Sequence, residues 1–397
     1  MLLYSLVAET IGTGIEKDPQ ITGFVLPGGK RVKRMQHADG TNSIHMTVKS
    51  INACLHLFQH NEDASGARIK HRKSRGLSVM PLRDGELEGL DGDIKWNGET
   101  CIMGIHFTKD LTTSSRMNWS KIQVKLKKRL ALLTERNLSL RGRAILLNSL
   151  ILSKGWHVGR VFLPPPDIAR KIMKMIFRYM WKGGHEIVSR ENVHKPVLKG
   201  GLGLLHVFRQ CVALQLNDLN RLKNDHRPFW GDLVRFWGAV PLRGLLPRWS
   251  SLHNEPGPTH ILGKKPLHHG LLFEQARTLC SRITDPNRDP PVREIRGLLD
   301  VNKANTPKDL GSFSREVGHD VDWRKWPRRT FSLVLPPLAK NSAFLLYHRA
   351  LKTKVNLAKW FRNNSSMNVG CHLCGLIDWL NETSIIYIRR LIGCCKQ

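Results

Sequence analysis

At Asn118 the hydrophobic pattern of this 397-residue chain changes period, and that change limits the folds open to it. Before it, short β-type runs are cut by Pro27-Gly28-Gly29, Asp39-Gly40, Asp84-Gly85, Asp91-Gly92 and Asn97-Gly98, pairs that supply the backbone geometry of hairpins and turns. One helix is predicted among these strands, over 48–59, because Val48, Ile51, Leu55 and Phe58 recur at spacings of three and four. After it, Trp119, Ile122, Leu126, Leu130 and Leu133 share one helical face, while Lys121, Lys125 and Lys128 share another. Helices are further predicted over about 139–156, after Pro164-Pro165-Pro166, over 210–221 and over about 343–360. The Trp-, Pro- and Arg-rich stretch between 225 and 340 has no sustained period and reads as short helices joined by loops.

Charge narrows the function classes. Lys and Arg number 63 against 32 Asp and Glu, a formal net charge of +31. Such an excess repels itself unless a polyanion neutralises it, so nucleic acid or an anionic membrane surface is the expected partner. No apolar run approaches the roughly 18 residues of a membrane span, and the richest, 144–152, is interrupted by Asn148 and Ser149. The chain is expected to be soluble or peripheral, with nucleic acid rather than a membrane as its partner. The apolar start, 1–8, has no basic flank and meets Glu9 at once, which argues against a secretory leader. Cys54, Cys101, Cys211 and Cys280 are scattered singly, which fits a reducing compartment, nucleus or cytoplasm, rather than a disulfide framework.

A series of short motifs then carries a resemblance. Leu3-Tyr4-Ser5-Leu6-Val7-Ala8-Glu9, Gly23-Phe24, Gln36-His37-Ala38-Asp39-Gly40-Thr41-Asn42, Ala64-Ser65-Gly66-Ala67-Arg68-Ile69 with Lys73-Ser74, and Met103-Gly104-Ile105 follow one another in that order. Together they resemble the later palm motifs of a non-LTR (LINE-type) retrotransposon reverse transcriptase. Asn118-Trp119, Arg136-Asn137-Leu138-Ser139-Leu140-Arg141-Gly142-Arg143, Leu152-Ser153-Lys154, the Trp181 region and Gly200-Gly201-Leu202-Gly203-Leu204 resemble the thumb and the segments after it, and Cys371-x-x-Cys374 with Glu382-Thr383 resembles the C-terminal Cys/His element. The resemblance implies an α+β fold: a truncated right-hand polymerase palm at 1–115, a thumb-like basic helical domain at 116–224, an irregular connector at 225–342, and a C-terminal helix with a degenerate Cys/His tail at 343–397. It also implies that the fingers and the first half of the palm are missing, so that the chain is a fragment.

Nucleotide transfer by that family needs two Mg²⁺ ions about 4 Å apart, held by converging carboxylates. The resemblance aligns the family's Tyr-Ala-Asp-Asp turn with His37-Ala38-Asp39-Gly40, which leaves Asp39 as the sole motif carboxylate. One monodentate oxygen leaves Mg²⁺ mostly hydrated, so an inactive polymerase remnant is expected, with no Mg²⁺ retained. Asp39-Gly40 is equally an ordinary turn pair. Lys73 falls at the family's phosphate-approaching lysine and is equally a surface lysine, while Met103, Gly104 and Ile105 fall at its primer-gripping hairpin.

Two further sites follow from the residues. Lys121, Lys125, Lys127, Lys128, Arg129, Arg136, Arg141 and Arg143 concentrate cations over about two helices, and such groups bind phosphates without reading sequence. The expected partner is RNA or an RNA–DNA duplex. Trp119 and Trp156 can stack on bases, although a Trp on an amphipathic helix more often packs in a core. Cys371 and Cys374 have zinc-knuckle spacing, with Cys394 and Cys395 as the remaining candidate Zn²⁺ ligands and His372 as a substitute, or all four cysteines are reduced thiols. Three functional classes stay open at this stage: an inactive remnant, a nucleic-acid-binding or scaffold protein built from it, and one half of a split polymerase completed by a fingers-bearing partner chain.

Overall fold

The structure, a computed structural model, describes residues 2–37, 40–66, 73–79, 85, 89–90, 94–96, 98–133, 137–222, 230–242, 267–280, 290–299, 325–348 and 350. The chain divides into two compact units that interleave along the sequence. One holds Met1–Trp119, Val158–Leu163 and Cys211–Leu299, the other Ser120–His157, Pro164–Gln210 and Asp300–Gln397.

The first unit mixes helices with two-stranded ladders. Helix α1 (Leu2–Lys17) packs on α2 (Val48–Ser65) through buried Ile15, Ile21 and Cys54, flanked by Ile11, Ala53, Leu57 and Phe58. Burial raises the Cys54 thiol to about 11, so it packs as a neutral apolar group. The α2 helix starts at Thr47, whose hydroxyl accepts the Ser50 N–H at 3.2 Å, and ends at Gly66 with φ 70°. It outruns the predicted 48–59 because its last turns are polar: Gln59 donates to Asp63 at 3.0 Å and the Ser65 hydroxyl to the Asn61 carbonyl at 2.5 Å. Apolar periodicity cannot register such turns. The end of α1 is held by a buried cation, as Lys33 Nζ donates to the carbonyls of Glu16 at 2.9 Å and Asp18 at 2.7 Å.

Among the described residues the strands pair two by two. Antiparallel pairs join β1 (Phe24–Val25) to β2 (Arg31–Val32), β3 (Arg34–His37) to β4 (Gly40–Ser43), and β7 (Glu99–Ile102) to β8 (Ile105–Thr108). Between the last two pairs, β5 (Arg75–Gly76) and β6 (Lys95–Trp96) run parallel. Helices α9 (Trp230–Gly238), α10 (Leu267–Cys280) and α11 (Val292–Leu299) also belong to this unit.

The boundary between the units falls inside α3 (Leu111–Ala131), at Trp119. Beyond it come α4 (Leu140–Leu146), a π-helical segment (Leu147–Leu152) and α5 (Ser153–Val161), one uninterrupted run where the sequence predicts a single helix over 139–156. The widened turns coincide with two serines: the Ser149 hydroxyl donates to the Ile145 carbonyl at 2.9 Å and the Ser153 hydroxyl to the Ser149 carbonyl at 2.5 Å. Such back-bonding supplies partners for carbonyls where the regular ladder is disturbed. Within the second unit, Asn148 in this segment donates to the Gly203 carbonyl and accepts from the Leu205 N–H, each at 2.9 Å.

Helix α6 (Pro166–Met180) begins with Pro at its first position and buries Ile168, Ile172, Ile176, Phe177 and Met180. Its end is sharp, with positive φ at Lys182 (51°) and Gly183 (77°), and the Gly183 N–H bonded to the Arg178 carbonyl at 2.8 Å. After α7 (Arg190–His194), Gly200–Leu204 is a loop, and His194 Nδ1–H donates to the Leu204 carbonyl at 2.7 Å. His348 Nε2–H donates to the Gly200 carbonyl at 2.7 Å, which ties this loop to the end of α13 (Pro337–Tyr347). Helix α8 (Val207–Arg221) follows the loop and α12 (Trp326–Ser332) precedes α13. The helix expected over 343–360 runs instead over Pro337–Tyr347: it starts earlier, since Pro336-Pro337 presets its first turn, and ends at Tyr347 with His348 as its cap; residues 351–360 lie outside the described set.

Candidate nucleic-acid interface

The second half of α3 separates core from charge along one helix. Ile122, Leu126 and Leu130 are buried, at 7%, 1% and 7% exposure, while Lys121, Lys125, Lys127, Lys128 and Arg129 are exposed. The helix contains no acid from Leu111 to Ala131. Lys121, Lys125 and Lys128 stand one above another at helical spacing and cover about 10 Å at 1.5 Å per residue. Val124 and Leu132 are exposed beside them, at 55% and 81%.

The remaining expected cations are not equivalent to these. Arg129 reaches the Leu150 carbonyl at 3.4 Å and stays exposed. Arg141 is half-buried, its guanidinium 5.3 Å from the centroid of the Phe331 ring. Arg143 is occupied by the fold: Nε donates to the Leu138 carbonyl at 3.0 Å and Nη1 to the Met180 carbonyl at 2.5 Å, joining α4 to the end of α6. Burial lowers its pKa from the ordinary arginine value. Arg136 lies outside the described residues. The structure therefore brings Lys121, Lys125, Lys127, Lys128 and Arg129 together as an exposed row and sets Arg143 to packing.

The first half of α3 explains Asn118-Trp119. Asn118 is 3% exposed; its Oδ1 accepts the His106 N–H at 2.9 Å and its Nδ2 donates to the carbonyls of His106 at 2.7 Å and Ser114 at 2.8 Å. One side chain thus completes the edge of β8. Trp119, 1% exposed, donates its indole N–H to the Phe162 carbonyl at 2.9 Å, so it is core and not a stacking platform. Trp156 is half-buried.

In the first unit, the β7–β8 hairpin closes at Ile102 and Ile105 around Met103 (φ 50°) and Gly104 (φ 79°). Both central residues are left-handed, the two-residue turn that fits the twist of a hairpin. An added Cβ at Gly104 would meet no atom within 4 Å, so its φ, rather than a close neighbour, favours glycine. Met103 is 59% exposed and Ile105 4%. The β3–β4 hairpin pairs His37 with Gly40, and Asp39 lies outside the described residues. Lys73 is exposed on the short stretch before β5.

No group of three or more His, Cys, Asp or Glu is placed to hold a metal ion among the described residues. The candidate zinc ligands Cys371, Cys374, Cys394 and Cys395 lie outside that set. No helix among the described residues is long and apolar enough to cross a membrane.

Helix α6 offers an apolar stripe legible in sequence and holds none of the site residues expected from it. Its opposite face carries Arg170, Lys171, Lys174 and Arg178, all exposed. The signal was legible as basic residues two positions out of phase with Ile168, Ile172 and Ile176.

No protein-family model matches the chain. Over 237 residues, 58% of this chain, it is 27% identical to a Xenopus laevis protein described as the transposon TX1 uncharacterized 149 kDa protein. The matched stretch covers 18% of that protein's length. The chain is therefore similar to part of a transposon protein, which supports a transposable-element origin.

Proposed function

We propose that this chain derives from the reverse transcriptase of a non-LTR retrotransposon, that it does not copy nucleic acid unaided, and that it holds RNA or an RNA–DNA duplex by its phosphates with little regard to sequence. In this reading residues 1–115 correspond to part of a polymerase palm and the basic helices of 116–224 to a thumb. The observation that carries the binding function is the row Lys121, Lys125, Lys127, Lys128 and Arg129, exposed on a helix with no acid of its own. Five cations on so short a stretch of helix repel one another, and a polyanion is the ligand that relieves that repulsion. The similarity to a transposon protein and the ordered motifs support the origin.

The loss of polymerisation rests on His37-Ala38-Asp39-Gly40, where glycine stands at the position of the second acid. A metal pair needs several oxygens converging on it, and glycine contributes none. Mg²⁺ is therefore not retained at this turn in the proposal.

Two measurements on the full chain test the reading. Binding to a labelled RNA–DNA duplex is expected to weaken steeply between about 50 and 200 mM salt, and reversing Lys121, Lys125 and Lys128 to Glu to reduce the slope of log affinity against log salt by about 2 to 3. A flat salt response sinks the binding function. Primer extension with Mg²⁺ or Mn²⁺ is expected to yield no product; template-dependent incorporation that disappears in Asp39→Ala overturns the inactive reading.

A further inference from the structure

Helix α6 carries a second cationic face on the same unit. Arg170, Lys174 and Arg178 lie four residues apart, so on a helix they form one line rising about 6 Å per step, and Lys171 stands beside the first of them. All four are exposed, and the helix is anchored by the burial of Ile168, Ile172, Ile176, Phe177 and Met180 on its other side. Its one acid, Asp167, sits in the first turn, where it meets the positive end of the helix dipole. Lys182, exposed just past the helix, bonds Asn137 Oδ1 at 3.0 Å. Arg170 Nε also donates to the Pro166 carbonyl at 3.3 Å, a bond within its own helix.

Two further bonds place this helix in register with the elements around the α3 row. Tyr179 donates its hydroxyl to the Leu133 carbonyl, just past the end of α3, at 3.3 Å, and Arg143 ties α4 to the carbonyl of Met180. A helix fixed in this way presents its cations on a rigid support, with less disorder to lose on binding than a basic tail would have.

We infer that the Arg170–Lys174–Arg178 face of α6 is a second phosphate-binding surface, taking the backbone of a nucleic-acid strand by charge alone. The occupant is argued from charge complementarity: a line of cations repeating about every 6 Å matches a regularly spaced polyanion and reads no bases. This inference rests on the proposed nucleic-acid binding and extends it from one helix to two.

The test compares three triple reversals of equal charge in the full-length protein: Arg170, Lys174 and Arg178 to Glu; Lys121, Lys125 and Lys128 to Glu; and, as a net-charge control on the first unit, Lys30, Arg31 and Lys49 to Glu. Affinity for a labelled RNA–DNA duplex and for single-stranded RNA is measured across about 50 to 200 mM salt. The α6 reversal is expected to lower the salt slope by about 2 to 3 and affinity at least tenfold more than the control. The corresponding Gln variant is expected to lie halfway, and thermal unfolding of each variant reports whether the fold is kept. If the α6 variant binds like the control while the α3 variant loses binding, the second surface is overturned and the first reading survives. If the unmodified protein shows no salt-dependent binding, the first reading fails as well.

Discussion

The two halves of α3 use polar residues in opposite ways. Up to Trp119, Ser114, Asn118 and Trp119 are buried and each completes bonds that no other residue can make: Ser114 Oγ accepts the Thr108 N–H at 2.8 Å, and Asn118 satisfies both main-chain groups of His106. From Lys121 onward the exposed polar residues are the cations Lys121, Lys125, Lys127, Lys128 and Arg129, which repeat one another's chemistry. A converging site fails when one member is lost, because the partners left behind are buried and unpaired. A distributed site loses affinity in steps. The same contrast separates the proposed fate of the Asp39 turn, where one missing acid removes the metal pair, from that of the cationic row, where one missing lysine removes one phosphate contact.

That contrast can be broken at its strong end first. Trp119→Ala removes a fully buried indole and its bond to Phe162, and is expected to cost about 3 to 5 kcal/mol; a loss below about 1 kcal/mol in denaturant unfolding would contradict its place in the core. Asn118→Ala leaves the His106 N–H and carbonyl without their partner and should cost about 2 to 4 kcal/mol, with affinity for nucleic acid changed only as far as the fold is lost. On the distributed side, Lys121, Lys125 and Lys128 reversed together should weaken duplex binding on the order of 100-fold near 100 mM salt while leaving unfolding almost unchanged. Acid sharpens the difference again. His45 and His206 have folded pKa values of about 4, mainly because burial disfavours their charged forms, against 6.5 in the unfolded chain. The unfolded state therefore takes up more protons between those values. Stability should be fully present above about pH 6.5, fall as the pH drops toward 4, and level off below it, by a few kcal/mol in all; a curve with no slope in that window would contradict the desolvation of both rings. Lys125→Ala is expected to change stability by less than about 0.5 kcal/mol and affinity by only a few-fold.

How much of this was legible depended on whether the signal was periodic or three-dimensional. The apolar stripes of α3 and α6 and the Gly-bearing turns of the first unit were readable, because periods of 3.6 and 2 and the need for positive φ are written in neighbouring residues. So was the exposed row on α3, since an acid-free amphipathic helix has one place for its lysines. Arg143 was not separable from that row in sequence. Its role is set by the Met180 carbonyl, 37 residues away, and no spacing rule reports such a partner. Asn118 and Asn148 were opaque for the same reason, each bonding backbone of a segment distant in sequence. The cations of α6 stand in the sequence two positions out of phase with its apolar stripe, but a basic face on an amphipathic helix does not by itself separate a ligand surface from ordinary solvent exposure.

The π-helical turns at Leu147–Leu152 decide where the helix from Leu140 to Val161 tolerates a change of length. A turn closed by i→i+5 bonds holds about one residue more than an ordinary turn, so excising a single residue there would restore the ordinary pitch and leave the residues on either side nearly in their present phase. A deletion in α4 after Arg143 would instead swing every side chain on one side of the cut by about 100°, and set either Arg143 out of phase with the Met180 carbonyl or Asn148 out of phase with Gly203. The wide turns are therefore the one stretch of this helix that can shorten by a residue without turning its faces apart.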